Sequence, residues 1–417
     1  MEQLIALRVS RAETGRALER VWAEGDAALV LPEDASARRS EAQLDALRPA
    51  AVVTVGPDGR EERMARADPA PIDARVALVV ATSGTTGAAK GVELTHDALA
   101  ASVTASLDRL GAVPGQRLGL ALPTHHVAGV LVHLRARALG TAAVTAPDTD
   151  SVGHLDVEHV ALVPTQLARL LERGAPVDRF TSILLGGAAP PAGLVARARD
   201  VGARVVLSYG MTETCGGCVY DGVPLDPVDV EVVGADAPAD RQPCDVAGRI
   251  RVRGPVLLHG YRTRTAEGTV TSTSGVDADG WFTTGDLGRL VPPAFRDPAA
   301  RPRLEVLGRA DAVLVSGGEN VPIAAVTTRL CSHPDVADAA VAAALDPRWG
   351  QVPVAVIVPR DPEAVPGLEE LRAHVRRDAP AAFAPARVHV VETLPRDAMG
   401  KLSDRDLRGL LRTLGES

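Results

Sequence analysis

Between residues 82 and 91 the chain reads Thr82-Ser83-Gly84-Thr85-Thr86-Gly87-Ala88-Ala89-Lys90-Gly91, a run of glycines and hydroxyls closed by a single lysine. Glycines let a backbone come close to a ligand, and hydroxyls, amide N–H groups and an ammonium all donate to oxyanions, so the run has the chemistry of a polyphosphate cradle. It does not have Walker A spacing, because Lys90 is followed by Gly91 rather than by Ser or Thr. A flexible linker shares this composition but does not usually join a buried strand to an amphipathic helix. Elsewhere, Cys215 and Cys218 form one CxxC pair. A structural zinc would need two further ligands, and neither Cys244 nor Cys331 sits in a second pair, so the segment reads as small residues packing closely.

Such a loop needs rigid flanks. Val76-Ala77-Leu78-Val79-Val80 is an apolar run of the buried-strand type and leads straight into it. Beyond it, Thr95 is an N-cap for a helix with Leu99, Val103, Leu107 and Leu110 at helical spacing, giving a reading of strand, loop, helix. Buried-type runs recur at Val160 to Val163, Ile183 to Leu185 and Val205 to Leu207 between helical patterns, which favours a layered α/β architecture. From 226 to 310, Gly, Pro and Asp punctuate short Val-rich segments such as Gly248 to Val252, the pattern of a β-rich subdomain. In the tail, Pro322 suits the first turn of a helix, Val336 to Ala343 and Val352 to Val358 suit strands, and Ser403 with Asp406 resembles a capping box. The expected organisation is a large layered α/β N-terminal domain, residues 1–310, with a β-rich subdomain, and a small α+β C-terminal domain, residues 311–417. Residues 1–75 carry no usable motif.

Composition sets limits. At 417 residues, with 46% hydrophobic and 24% charged, the chain can build more than one core and gives no ground for wholesale disorder. A net charge of -8 argues against a dominant attraction to nucleic acid or to an anionic membrane. Met1-Glu2-Gln3 does not open a secretory signal and no run reaches transmembrane length, so a cytoplasmic enzyme without membrane insertion is expected. Four cysteines form no disulfide framework, in keeping with a reducing compartment.

The phosphate loop resembles the signature of the adenylate-forming superfamily, which includes acyl-CoA synthetases, luciferases and peptide-synthetase adenylation domains. Further matches follow in that family's order. Ser208-Tyr209-Gly210-Met211-Thr212-Glu213 resembles its Tyr-Gly-x-Thr-Glu motif, Trp281-Phe282-Thr283-Thr284-Gly285-Asp286 its Thr-Gly-Asp motif, and Gly308-Arg309-Ala310-Asp311 its hinge. Ser316-Gly317-Gly318-Glu319-Asn320 resembles the following turn and Pro395-Arg396-Asp397-Ala398-Met399-Gly400-Lys401 the C-terminal lysine motif. The resemblance implies the adenylate-forming fold with a mobile C-terminal domain, and ATP, Mg²⁺ and coenzyme A as the small molecules handled.

It also implies roles. Attack of a carboxylate on the ATP α-phosphorus brings two anions together, so charge on the transferring phosphoryl group must be neutralised. Thr82, Ser83, Gly84, Thr85, Thr86, Gly87 and Lys90 would cradle the phosphates. Glu213 would hold Mg²⁺ and Thr212 would donate to the α-phosphate. Gly187, Ala188, Ser208, Tyr209 and Gly210 would line the nucleotide, Asp286 and Arg309 the ribose, and Lys401 would deliver its ammonium to the reacting carboxylate. Asp311 is the implied hinge, with Gly317 and Gly318 along the route of the pantetheine thiol. Each acid or arginine taken alone is as readily a surface charge, and only the ordered set favours the functional reading.

Pro123-Thr124-His125-His126-Val127-Ala128-Gly129 resembles the family segment that closes over the acyl group, with His126 as gate and His125 beside it. Segments 163–167, 184–189 and 212–222 resemble those of actinobacterial o-succinylbenzoate-CoA ligases of menaquinone biosynthesis. Such a substrate carries two carboxylates. Gly186 and Gly210 would border it, and Arg135 is a candidate for its second carboxylate, or else a solvated helix residue. The function implied is carboxylate-CoA ligation through an acyl-adenylate. Another aryl- or fatty-acid-CoA ligase, a carrier-loading adenylation enzyme or a non-catalytic nucleotide-binding regulator are the alternatives, and a homodimer is compatible with any of them.

Overall fold

The run Val76 to Val80 is buried along its whole length. In the computed structural model, which describes residues 2–33, 37–56, 60–83, 89–191, 193–234, 247–292, 301–310, 312–377, 379–396, 400, 402 and 404–415, it becomes the strand Val76–Ser83. The strand Ala89–Thr95 follows the loop and returns antiparallel, with Thr82 opposite Lys90. The local order is therefore strand, loop, strand, helix. Alternation explains the extra strand: Val92 and Leu94 are fully buried on one side of it, while Glu93 points to the other. Thr95 then caps the helix His96–Leu110, its hydroxyl accepting from the Ala98 amide at 3.1 Å, as the sequence predicts.

By packing, the chain divides into two compact units, one of Met1–Gly187, Ala198–Val230 and Val252–Phe282, the other of Ala188–Arg197, Glu231–Arg251 and Thr283–Ser417.

The first unit holds two sheets. Its eight-stranded sheet runs Val270–Thr273, Gly260–Arg264, Ala89–Thr95, Val76–Ser83, Ala27–Val30, Leu4–Arg8, Ala51–Val55, Glu61–Ala65, so the N-terminal segment without a motif supplies four of its strands. Its seven-stranded sheet is parallel from Val144–Thr145 through Leu118–Leu120, His159–Leu162 and Ser182–Leu185 to Val205–Met211, and ends on antiparallel Gly216–Tyr220 and Val223–Pro224. The helix His96–Leu110 packs against strands of both sheets.

The second unit also holds two sheets. One is four-stranded, Asp229–Val233, Gly248–Arg253, Phe282–Val291 and Arg303–Arg309, the β-rich region expected from sequence. The other is built on the long antiparallel pair Val336–Asp346 and Gly350–Pro359. Alternate residues of that pair feed two cores: Ala339, Val341, Ala355 and Ile357 join Val326, Leu330, Leu371 and Val375, while Ala340, Val354 and Val356 join Leu394, Leu407 and Leu411 of the terminal segment. Pro322 stands at the N-cap of the helix Ile323–Cys331, one residue ahead of the first turn. Ser403 lies outside the described residues, and the final helix is Asp404–Thr413.

Candidate active site

In the first unit, three strands bring the charged groups together. Ala89–Thr95 carries Lys90, its neighbour Gly260–Arg264 carries Tyr261, and Val205–Met211 leads into the short turn Thr212–Thr214 that carries Glu213. The Lys90 ammonium sits over the Tyr261 ring, 3.1 Å from its centroid, and the Tyr261 hydroxyl donates to Glu213 Oε1 at 3.2 Å. Partial burial lowers the Lys90 pKa, opposed by Glu213, and burial first and Glu213 second push the Tyr261 phenol well above its ordinary value. Thr82 donates to the Lys90 carbonyl at 3.2 Å and so pins the mouth of the loop. Of the loop itself, Gly84, Thr85, Thr86 and Gly87 lie outside the described residues.

Met211, Thr212 and Glu213 are set by a tight corner. The Thr214 hydroxyl accepts from the Met211 amide at 2.9 Å and donates to the Gly216 carbonyl at 2.7 Å. Just before it, Gly210 passes so close to the returning strand that an added Cβ would stand 2.0 Å from the Gly216 oxygen, which explains why only glycine fits. Ser208 stands beside Gly186, which follows the neighbouring strand Ser182–Leu185, its Cβ 3.3 Å from where a Cβ on that glycine would lie, and Gly187 adopts φ 86°.

The helix Val127–Ala138 starts at His126 in extended conformation, and the His125 and His126 rings lie 4.2 Å apart at 42°. Arg135 belongs to its last turn, about 13 Å along the axis from His126 at 1.5 Å per residue. The arginine is not solvated: it is 3% exposed, its Nη2 donates to the Tyr220 hydroxyl at 3.5 Å, and its Nε is buried without a hydrogen-bond partner. Arg137, by contrast, reaches Glu19 on the surface at 3.3 Å. Tyr220 shares its hydroxyl with Ser106 at 2.7 Å.

Cys215 and Cys218 are buried, and burial holds both thiols protonated, Cys218 pushed up to about 12. Neither is disposed to bind metal or to exchange disulfides.

The second unit carries the remaining groups. Asp286 and Arg309 are register partners on adjacent antiparallel strands, with Arg309 Nη1 3.8 Å from Asp286 Oδ1 and the guanidinium lying over Gly285, where a Cβ would meet Cζ at 2.7 Å. Gly317 and Gly318 both adopt positive φ, 58° and 88°, in the turn between Val313–Ser316 and Glu319–Pro322, and the Gly317 amide donates to the Trp349 carbonyl at 2.9 Å. Ala188 falls in this unit by packing. Lys401 and Asp311 lie outside the described residues.

Residues 4–262 match the AMP-binding enzyme family and residues 326–401 its C-terminal domain. The chain belongs to the AMP-binding enzyme family. This enzyme is 39% identical to a Mycobacterium tuberculosis protein named probable 2-succinylbenzoate–CoA ligase, over 79% of this chain and 83% of that one. Its fold matches o-succinylbenzoate CoA synthetase from Bacillus subtilis in complex with the acyl-adenylate intermediate, with a TM-score of 0.78, 28% identity, and 97% and 88% of the two chains covered. The same Bacillus protein in complex with ATP and magnesium ion matches with a TM-score of 0.77 at 27% identity, over 97% and 89%. Sequence reasoning about this AMP-binding enzyme missed Tyr261. The usable signal was rarity: aromatics make up only 2% of the chain, and Tyr261 is one of three tyrosines.

Proposed function

We propose that the enzyme converts o-succinylbenzoate to o-succinylbenzoyl-CoA, a step of menaquinone biosynthesis, and that the following residues carry it. A substrate carboxylate oxygen attacks the α-phosphorus of ATP, the bond to pyrophosphate breaks, and the acyl-adenylate forms. The CoA sulfur then attacks the acyl carbon, AMP leaves with the electron pair of the C–O bond, and the thiol proton passes to solvent.

Lys90 and the Thr82 to Gly87 loop bind the polyphosphate, Thr212 donates to the α-phosphate, and the Asp286 carboxylate accepts from the ribose hydroxyls beside Arg309. Ser208, Tyr209, Gly210, Gly187 and Ala188 shape the nucleotide site. The Glu213 carboxylate is a hard oxygen donor set next to a lysine, a donor set that suits Mg²⁺ arriving with a polyphosphate. When bound, the ion supplies charge neutralisation at the phosphates. Lys401 approaches the reacting carboxylate in the first half-reaction, and rotation at Asp311 withdraws it so that the turn at Gly317 and Gly318 faces the thiol. The part that turns is residues 311–417.

What carries the substrate reading is Arg135. A buried guanidinium with one long hydrogen bond and an unpaired Nε is the group a second carboxylate would pair with, and His126 at the other end of the same helix gates the acyl group, with His125, Gly186 and Gly210 around it. A cytoplasmic homodimer is part of the proposal, and among the described residues no helix is long and apolar enough to cross a membrane. Pyrophosphate release that requires o-succinylbenzoate but not CoA, followed by AMP release that requires free CoA, tests the reaction. Acyl transfer only to a carrier protein, or nucleotide binding with no pyrophosphate release, would replace it with one of the alternatives.

A further inference from the structure

Lys90 and Glu213 have opposite charges, feel each other electrostatically, and yet form no direct ion pair within 4 Å among the described residues. The side chain between them is Tyr261. Its ring face holds the ammonium 3.1 Å from the centroid while its hydroxyl donates 3.2 Å to the carboxylate. We propose that Tyr261 is a positioning residue that keeps the phosphate-binding lysine and the metal-binding carboxylate apart and aimed, so that neither is neutralised by the other before MgATP arrives. This rests on the roles given above to Lys90 and Glu213.

The strands make the arrangement rigid. Tyr261 stands opposite Val92, so it shares a face with Lys90 two residues away, while Arg262 stands opposite Gly91 on the other face with Glu93. There Arg262, 2% exposed, donates to the carbonyls of Leu47, Ala70 and Pro71 and lies 3.7 Å from Glu93. With its back fastened in this way, the strand has no freedom to slide, and Tyr261 presents one ring geometry to the site.

The two contacts separate by substitution. Tyr261→Phe keeps the ring under Lys90 and loses the hydrogen bond to Glu213; Tyr261→Leu loses both. The readouts are equilibrium binding of ATP to the intact protein with and without Mg²⁺, and binding of Mn²⁺ with ATP followed by its magnetic resonance signal. Tyr261→Phe should leave metal-free ATP binding within about twofold of the unaltered protein and reduce the gain from added metal by roughly 10- to 100-fold, the size of one lost hydrogen bond to a charged group. Tyr261→Leu should weaken metal-free ATP binding as well, because Lys90 is then drawn onto Glu213, and adding Glu213→Gln to Tyr261→Leu should restore it. That rescue is not expected of a purely structural tyrosine. Equal metal gain in Tyr261→Phe and the unaltered protein, or no rescue in the double variant, would overturn the proposal and leave the ligase reading untouched. Absence of acid-dependent pyrophosphate release by the unaltered protein would sink the ligase reading and say nothing about nucleotide binding by Tyr261 variants.

Discussion

Arg396 grips Asp338 with two parallel hydrogen bonds, Nε to Oδ2 and Nη2 to Oδ1, both 2.8 Å, while Nη1 donates 3.0 Å to the carbonyl of Gly400. A backbone bridge joins Arg396 to Leu402. These contacts tie Gly400 and Leu402, the sequence neighbours of Lys401, to Arg396, and Arg396 to the strand Val336–Asp346. Asp338→Ala is therefore expected to slow adenylation roughly 10- to 100-fold through misplacement of Lys401, and to leave thioester formation from added acyl-adenylate near normal. Lys401→Ala should show the same split more strongly with ATP binding retained. Equal losses in both half-reactions of Asp338→Ala would make the pair structural only.

Arg135→Leu removes the buried guanidinium and its unpaired Nε. Discrimination between o-succinylbenzoate and benzoate, taken as the ratio of kcat/KM values, should fall on the order of 100-fold or more, because a site built for a charged group penalises the analogue that lacks it. Acid-independent ATP binding should not change. If discrimination survives, the second carboxylate is held elsewhere.

Arg262 and Glu93 are 2% and 1% exposed and 169 residues apart in sequence, with Ser272 donating to Glu93 at 2.5 Å. Removing one partner strands the other charge inside the protein. Arg262→Met should lower unfolding free energy by about 3–5 kcal/mol in urea titrations, and adding Glu93→Leu should return a substantial part of it. Additive losses would contradict the pairing.

His159 is 2% exposed, its ring set between Ser182 Oγ at 2.8 Å and Gln116 Oε1 at 2.9 Å. Burial lowers its pKa, partly opposed by Glu158, and burial likewise lowers that of His133. A lowered folded pKa means that the unfolded chain binds the extra proton, so this stability is complete above the ordinary histidine value of about 6.5 and is lost as pH falls from there towards the lowered pKa. Urea midpoints should drop between pH 7 and 5, with a slope of at most about 1.4 kcal/mol per pH unit for each histidine involved, and His159→Asn should flatten that slope. An unchanged slope would place the titration on other groups.

Local grammar made part of the fold and of the candidate site legible. The loop closed by Lys90, the Thr95 cap and the buried runs at Val76 and Ile183 follow from spacing and residue type, and the ordered motifs pointed to Glu213, Asp286 and Arg309 before any fold was known. What was not legible depends on distant pairing. Tyr261 meets Lys90 only because Gly260–Arg264 docks on Ala89–Thr95, and the partner of Arg135, Tyr220, comes from a strand 85 residues further along the chain. The short apolar segments around Leu29 to Leu31 and Ala50 to Val55 stand out in the sequence, but their place as strands of the eight-stranded sheet depends on parallel neighbours distant in the chain, and they carry no chemistry of their own.

The substrate is tested most directly by offering the enzyme ATP, Mg²⁺ and CoA with an equimolar mixture of o-succinylbenzoate, benzoate and octanoate, and following the CoA thioesters by mass spectrometry during initial turnover. o-Succinylbenzoyl-CoA should be the dominant product, with AMP formed in equal amount and no thioester from Lys401→Ala. Comparable initial rates for benzoyl-CoA or octanoyl-CoA would contradict the substrate, and acyl-adenylate that accumulates without any CoA thioester would contradict the ligase itself.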